Sequence, residues 1–217
     1  MKKYEIKKLP DRKLTFTRNL VNKFTKHDAF YLIGTSLVLF QTFCVASIIL
    51  NYPQYLGVDN LYINIFFIGF GDIVAYINIT FNGSKMPRKK TVFVVFITEV
   101  ILGIFLFSLK LLGLRHIFIF KVLQLFIAFI TRILVCTVLL LGLIWTAEIF
   151  PTRIRGIVMG VSLFFARLSF SITPYFIYYS VKYDLNPLSF IVLLTIIPVI
   201  YIHILPETVN AKLSNWN

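Results

Sequence analysis

Five ionisable residues interrupt apolar stretches of this sequence, and they are the first candidates for chemistry. Asp72, Glu99, Arg132, Glu148 and Arg167 each lie within or at the end of a run of mostly apolar residues. If these runs cross a lipid bilayer, a charge at mid-depth costs about 3 kcal/mol or more unless it is paired or wetted. Such residues bind solutes, relay protons or form ion pairs that fix helix packing. For any one of the five, the sequence leaves function and packing open.

Arg167 has the most specific sequence argument for contact with a solute. It follows Gly156 by eleven residues, which is about 17 Å along a helix and close to the centre of a hydrocarbon core about 30 Å thick. Phe164, Ser171 and Pro174 share its helical face at i−3, i+4 and i+7. An arginine that faces a water-filled cavity at this depth can bind an anionic group.

The remaining charges at depth allow several pairings. Asp72 lies near the middle of its run with Tyr76 one helical turn away, and Arg132 falls in the outer half of another run. Two acids, Asp72 and Glu99, and two bases, Arg132 and Arg167, can form neutral pairs, but the sequence does not say which pairs form.

Glu148 differs because it lies where an apolar run ends. Pro151 follows it and is predicted to stop the helix, and Arg153 and Arg155 come next. A glutamate and an arginine at this place, such as Glu148 and Arg155, can bridge at the membrane surface. The bridge would be either a gate-like ion pair or a simple anchor at the membrane edge.

The composition indicates a membrane protein. Of 217 residues, 58% are hydrophobic and 14% are charged, whereas soluble domains carry about 25% charged residues. Six runs approach the roughly 20 apolar residues that a spanning helix needs. They lie at about 29–51, 60–81, 91–110, 117–149, 156–179 and 187–205. The fourth run is too long for one straight span, so it either begins with an interfacial turn or tilts strongly.

The basic residues flank the apolar runs, which argues for membrane topology and against nucleic-acid binding. The formal net charge is +13, with nine Lys/Arg in residues 1–28 and four more at 85–90. Placing these segments and Arg153/Arg155 in the cytoplasm satisfies the positive-inside rule for six spans with both termini cytoplasmic. We expect a basic segment at 1–28, a six-helix bundle at 29–205, a tail at 206–217 and a plasma-membrane location. Residues 15–27 form either an interfacial amphipathic helix or a disordered arm.

Two enzyme classes have weak sequence support. An intramembrane serine protease needs Gly-x-Ser-Gly, but Ser162 is followed by Leu163, and His203 would have to serve as its base. A metalloprotease would need His-Glu-x-x-His, and the three histidines are far apart in the sequence. A channel is disfavoured because no filter-like loop is present. We therefore expect no enzymatic activity, no metal and no cofactor.

Several segments together resemble one transporter family. Residues 147–156 (AEIFPTRIRG) resemble the (A/S)-E-(L/I)-(Y/F)-P-T-x-x-R segment between the tenth and eleventh spans of the major facilitator superfamily, most closely its organic ion transporter branch, solute carrier family 22. Four further segments of the chain resemble segments of that branch and follow the same order. They are 14–24 (LTFTRNLVNKF), 60–76 (NLYINIFFIGFGDIVAY), 166–175 (ARLSFSITPY) and 205–213 (LPETVNAKL). The resemblance covers nearly the whole chain but only the carboxyl-terminal half of such transporters.

The sequence departs from the family pattern in two segments. Asp72 stands where a glutamate is usual, and the loop NGSKMPRKK keeps the bases but lacks the usual aspartate and second glycine. The difference in the loop implies a weakened cytoplasmic charge network. Within the branch, arginine at the place of Arg167 is typical of members that prefer anions or zwitterions.

The resemblance implies half of a secondary transporter that moves small organic anions or zwitterions by alternating access. It implies substrate binding by Arg167, Arg132, Tyr76 and Asp72, and gating by Glu148, Pro151, Arg153 and Arg155. The expected partners are a small organic ion, the lipid bilayer, and either a missing amino-terminal half or a second copy of the chain. The alternative is a truncated, non-transporting membrane protein with a regulatory role or no retained role.

Overall fold

The computed structural model describes residues 26–51, 60–111, 118–183 and 190–208. Within these ranges the chain forms six α-helices and no strand, which confirms the all-α prediction. The helices are α1 Lys26–Asn51, α2 Leu61–Asn82, α3 Arg88–Leu111, α4 Phe118–Ile149, α5 Thr152–Lys182 and α6 Phe190–Ile202. The predicted helix or arm at 15–27 lies almost wholly outside the described residues.

Helices α1 to α5 each contain a segment long and apolar enough to cross a membrane, so the chain is a multi-pass membrane protein. The described part of α6 has 13 residues, about 20 Å of helix, which is less than the hydrocarbon thickness of about 30 Å. The predicted run at 187–205 begins outside the described residues. The sixth span therefore stays a prediction.

Polar residues and proline set the helix boundaries. The Asn60 side chain caps α2 by accepting a hydrogen bond from the backbone N–H of Tyr62 at 3.0 Å. Pro151 separates α4 from α5, as predicted, because proline cannot continue the helix before it. Its carbonyl instead starts α5 by accepting the N–H groups of Ile154 and Arg155, each at 3.1 Å.

The fourth apolar run forms one continuous helix, so the alternative of an interfacial turn at its start is wrong. Helix α4 has 32 residues, about 48 Å at 1.5 Å per residue. This length exceeds the hydrocarbon core, and α4 must therefore tilt or extend beyond it.

Helix α1 lies at the centre of the bundle and contacts α2, α4, α5 and α6. Its most extensive neighbour is α5, which presents small residues to it. The Ser36 hydroxyl donates to Ser162 Oγ at 3.2 Å, and Cys44 Sγ lies 3.5 Å from Thr173 Oγ1. Small side chains let two helices approach closely in a membrane, where lipid supplies no hydrophobic drive for association.

Two apolar clusters lie where α1, α3 and α4 meet, with a residue of α6 in the first and a residue of α2 in the second. The first, here the Phe96 cluster, consists of Val38, Val92, Val95, Phe96, Val138, Trp145, Ile202 and Leu205. The second, here the Leu106 cluster, consists of Val45, Ala46, Ile48, Ile49, Ile68, Leu106, Ile127, Ala128 and Val135, with Leu102 and Leu123 packed against it. The clusters occupy successive levels along the bundle and fix the relative depth of the charged residues.

Candidate functional site

Asp72 and Arg132 form a two-pronged ion pair between α2 and α4. Arg132 Nε donates to Asp72 Oδ1 at 2.6 Å, and Nη2 donates to Oδ2 at 2.7 Å. The Asp72 side chain is 28% exposed and the Arg132 side chain is 10% exposed. Gly71 permits this contact, because a Cβ there would lie 3.3 Å from Arg132 Cγ. Each residue satisfies the charge of the other, so a solute would have to displace one of them.

Arg167 is an exposed cation at the centre of α5. It lies 15 residues from each end of a 31-residue helix, about 22 Å from either end. Its guanidinium carbon is 5.6 Å from the centroid of the Phe43 ring, and Arg167 has no ion-pair partner among the described residues. A cation–π contact is worth about 0.5–2 kcal/mol, less than the roughly 3 kcal/mol cost of an arginine at this depth. This face therefore needs water, an anion or another protein surface.

The face predicted from the sequence is the exposed face of α5. Phe164, Ser171 and Pro174 are all exposed, as is Arg167. The opposite face packs against α1 and carries the buried residues Ser162, Ala166, Ser169 and Thr173. The helical period thus correctly predicted that these residues share one face with Arg167.

Tyr76 lies one turn after Asp72 on α2 and is 53% exposed. Its carbonyl accepts the Thr80 hydroxyl at 2.8 Å. Of the four predicted substrate residues, the structure brings together Asp72 and Arg132, while Arg167 contacts α1 and Tyr76 lies on the exposed part of α2. Their predicted roles in substrate binding remain predictions.

A polar network joins three helix ends at one end of the bundle. Arg88, at the start of α3, donates through Nη2 to Glu148 Oε1 at 3.1 Å and through Nε to Oε2 at 3.4 Å. The Thr208 hydroxyl donates to Glu148 Oε2 at 2.5 Å. Arg88 also donates to the Gly83 carbonyl in the turn before α3. We call Arg88, Glu148 and Thr208, together with Glu207, which accepts the backbone N–H of Arg88, the end network.

The arginine that binds Glu148 is not the one suggested by the sequence. Arg155 donates instead to the Phe150 carbonyl at 3.4 Å, because α5 restarts after Pro151 and that carbonyl lies one turn before Arg155. The turn at 83–87 brings Arg88 to Glu148 from a different helix. The Arg153 side chain lies outside the described residues, and the gating role of all four predicted residues stays a prediction.

Residues 206–208 tie the end of the chain's last described helix to α3 and α4. Glu207 caps α3 by accepting the backbone N–H groups of Arg88 at 2.9 Å and Lys89 at 3.2 Å. A carboxylate is favourable there because it meets the positive end of the helix dipole. Trp145 Nε1 donates to the Pro206 carbonyl at 3.0 Å.

The residues of the protease alternative lie in different surroundings. Ser162 is buried and accepts the Ser36 hydroxyl. The His203 ring packs on Phe93, with 5.2 Å between ring centroids, near the end network. The described residues contain no group of three or more His, Cys, Asp or Glu side chains that could hold a metal ion.

Sequence reasoning missed three residues that contact the predicted ones. Phe43 supports Arg167, Arg88 binds Glu148, and Gln41 donates to Glu99 Oε2 at 2.9 Å. Gln41 carries a detectable signal, since it is an amide within an otherwise apolar run. No protein-family model matches the chain, and no curated protein matches it either.

Proposed function

We propose that the chain is the carboxyl-terminal half of a major facilitator transporter of the organic ion branch. It would move small organic anions or zwitterions by alternating access between two bundles. The observation that carries the proposal is the exposed Arg167 at the centre of α5, where lipid alone does not compensate its charge.

The surroundings of Arg167 favour an organic anion over an inorganic one. Phe43 lies under the guanidinium, and Phe170 meets Phe43 edge-on at 5.7 Å between centroids. Phe164, which is 61% exposed, lies on the same face of α5 as Arg167. An exposed ring on the same face as the cation suits a carboxylate attached to an apolar or aromatic body, because contact with Phe164 would add to the ion pair.

Six helices supply one wall of a cavity, so the proposal requires a second bundle opposite Arg167. That bundle would be either an amino-terminal half or a second copy of the chain. The end network fits a gate in this scheme, because it ties α3, α4 and the 206–208 segment at one end while Arg167 lies deep in the membrane.

Ligand binding by the full chain in lipid nanodiscs tests the proposal. The probes are a labelled aromatic carboxylate, a betaine and a quaternary ammonium ion. We expect binding of the carboxylate or the betaine and a loss of at least tenfold in Arg167→Ala, because about 1.4 kcal/mol of charge-assisted contact already gives tenfold. Lys90→Ala is the matched control, since it removes one positive charge from an exposed residue at the start of α3.

A labelling experiment tests the same face without a ligand. Cys44 and Cys136 are both buried and would first be replaced. A cysteine in place of Arg167 should then react with a membrane-impermeant thiol reagent in the intact assembly. A sealed cysteine there would contradict the solute cavity. Reactivity without binding of any probe would favour the alternative of a non-transporting membrane protein.

A further inference from the structure

Glu99 and Gln41 form a buried polar pair between α3 and α1. Both residues are 1% exposed. Gln41 Nε2 donates to Glu99 Oε2 at 2.9 Å, across 58 residues of sequence. Glu99 lies 11 residues from the start of α3, about 16 Å along the helix. The pair is therefore an acid and an amide near the middle of the membrane, and the proposed solute site uses neither.

The surroundings of the pair are apolar. On α3, Glu99 follows Val95 and Phe96 of the Phe96 cluster and precedes Leu102 and Leu106 of the Leu106 cluster at helical spacing. On α1, Gln41 lies between Val38 of the first cluster and Val45 of the second. The pair thus occupies the boundary between two apolar clusters, where an isolated carboxylate would be strongly disfavoured.

The charged groups of the helices around Glu99 either bind another residue or lie towards the helix ends. Helix α3 packs against α4 and α6, and α1 supplies Gln41. On these helices Arg132 binds Asp72, Glu148 binds Arg88, and Cys44 contacts Thr173. The other titratable groups with described side chains are Cys136, one turn after Arg132, and Asp28, Tyr31, Lys89, Lys90, Lys121, Tyr201 and His203, which lie towards helix ends. Among the described residues, Glu99 has no cationic partner.

Two acceptor oxygens of the Glu99–Gln41 pair have no hydrogen-bond donor. Gln41 Oε1 and Glu99 Oε1 are both buried, and neither has a hydrogen-bond partner among the described residues. A carboxylate is an acceptor only, so an ionised Glu99 would leave its own Oε1 and Gln41 Oε1 without a donor. A protonated Glu99 carries one O–H, which removes one unsatisfied acceptor and supplies a donor for the other. Buried polar groups without partners are costly, and the protonated form removes two of them at once.

We infer that Glu99 and Gln41 form a proton-binding site in which Glu99 is a neutral carboxylic acid while the two side chains meet between α1 and α3. The Glu99 hydroxyl donates to Gln41 Oε1, and Gln41 Nε2 donates to Glu99 Oε2, which closes a two-bond acid–amide ring. The ligand of this site is a proton. The site needs no other ion, because the ring is neutral.

Release of the proton is tied to a movement of the helices. Breaking the O–H bond leaves a carboxylate on Glu99 and transfers the proton to water. Both residues are sealed by the two clusters, so water reaches them when α1 and α3 separate, and the carboxylate then favours the separated state. The proton is the coupling ion if the chain is half of a transporter. Only this statement, and not the proton site itself, rests on the proposed function.

Infrared spectroscopy of the full chain in lipid nanodiscs tests the site without transport. Carboxyl groups are ordinarily ionised at neutral pH, so a protonated one stands out by its carboxylic C=O stretch. We expect the wild-type protein to show this band at neutral pH and Glu99→Gln to lack it. Glu99→Gln keeps a neutral group of similar shape that can still bond Gln41. Asp28→Asn is the matched control and should retain the band, since it removes an acid from the first turn of α1.

Two infrared results would overturn the proton site. A wild-type protein without a carboxylic band at neutral pH overturns the proton site, whatever the variants do. A band that persists in Glu99→Gln also overturns it. In Gln41→Leu the band should shift in frequency, because the acid loses both bonds of the ring. An unchanged frequency would show that the two side chains do not form it.

Uptake into liposomes tests the coupling separately. Uptake of the labelled carboxylate or betaine should rise with an inward proton gradient in the wild-type protein and lose that dependence in Glu99→Gln. Uptake indifferent to the gradient overturns the coupling. Absence of any uptake excludes a second copy of the chain as the missing bundle, while the infrared band still decides the proton site.

Discussion

Substitution of Arg132 by methionine is expected to destabilise the protein far more than the same substitution of a surface arginine. Methionine keeps much of the length and apolar surface of the side chain but removes both hydrogen bonds to Asp72. The carboxylate of Asp72 then remains at membrane depth, 28% exposed and without its cation. The perturbation therefore measures the loss of an ion pair and not the loss of volume.

The magnitude follows from the geometry of the pair. Bonds of 2.6 and 2.7 Å place the two charge centres about 4 Å apart. At an effective dielectric constant of about 20, unit charges at that distance interact by about 4 kcal/mol. Removing one partner of a buried pair costs about 3–5 kcal/mol in measured cases. We expect Arg132→Met to lower the free energy of unfolding by about 3 kcal/mol or more.

The assay is reversible unfolding in mixed detergent micelles, compared in a double-mutant cycle. Arg132→Met combined with Asp72→Leu should recover most of the loss, because an apolar replacement of both partners is often neutral. Arg155→Met is the control, since it removes one long hydrogen bond to the Phe150 carbonyl and should cost about 1 kcal/mol or less. A loss below about 0.5 kcal/mol for Arg132→Met, or a coupling near zero, would refute the reasoning.

Two further predictions concern helix contacts. Gly142→Ala should lower the free energy of unfolding by about 1–3 kcal/mol, because the new Cβ would lie 3.1 Å from Leu39 Cδ2. Gly160→Ala, with nothing within 4 Å of its new Cβ, should instead raise it by about 0.5–1 kcal/mol through backbone entropy. The opposite signs are checked in the same unfolding assay, and equal signs would contradict the packing argument. Trp145→Phe should cost about 1 kcal/mol by leaving the Pro206 carbonyl without its donor, and a loss of less than 0.3 kcal/mol would mean that water replaces that bond.

The helices could be predicted from the sequence because lipid makes the rules simple. A spanning segment must satisfy its own backbone hydrogen bonds, so each long apolar run becomes a helix. The predicted runs agree with α1 to α5 to within about four residues at each end, as in 156–179 against Thr152–Lys182. The continuity of α4 could not be decided, because a helix that outgrows the bilayer and a helix broken at its surface have the same composition.

The partners of the charges could not be predicted, because they depend on which helices become neighbours. Asp72 and Arg132 are 60 residues apart, as are Arg88 and Glu148. Periodicity places a side chain on a face but does not identify the opposing helix. Periodicity therefore predicted which residues share a face with Arg167, but it could not predict the contact of Arg167 with Phe43 on another helix.

The charges at depth differ in a way that argues for external ligands. The fold neutralises Asp72 and Arg132 with each other, which shows that it can build an intramembrane ion pair. An ionised Glu99 would have the opposite charge to Arg167 and the two could have cancelled, yet Glu99 is buried between α1 and α3 and Arg167 lies on the exposed face of α5. Each ionised group without a partner costs about 3 kcal/mol, so their separation favours two compensations from outside the chain. A proton suits the sealed acid, and an anion suits the exposed arginine.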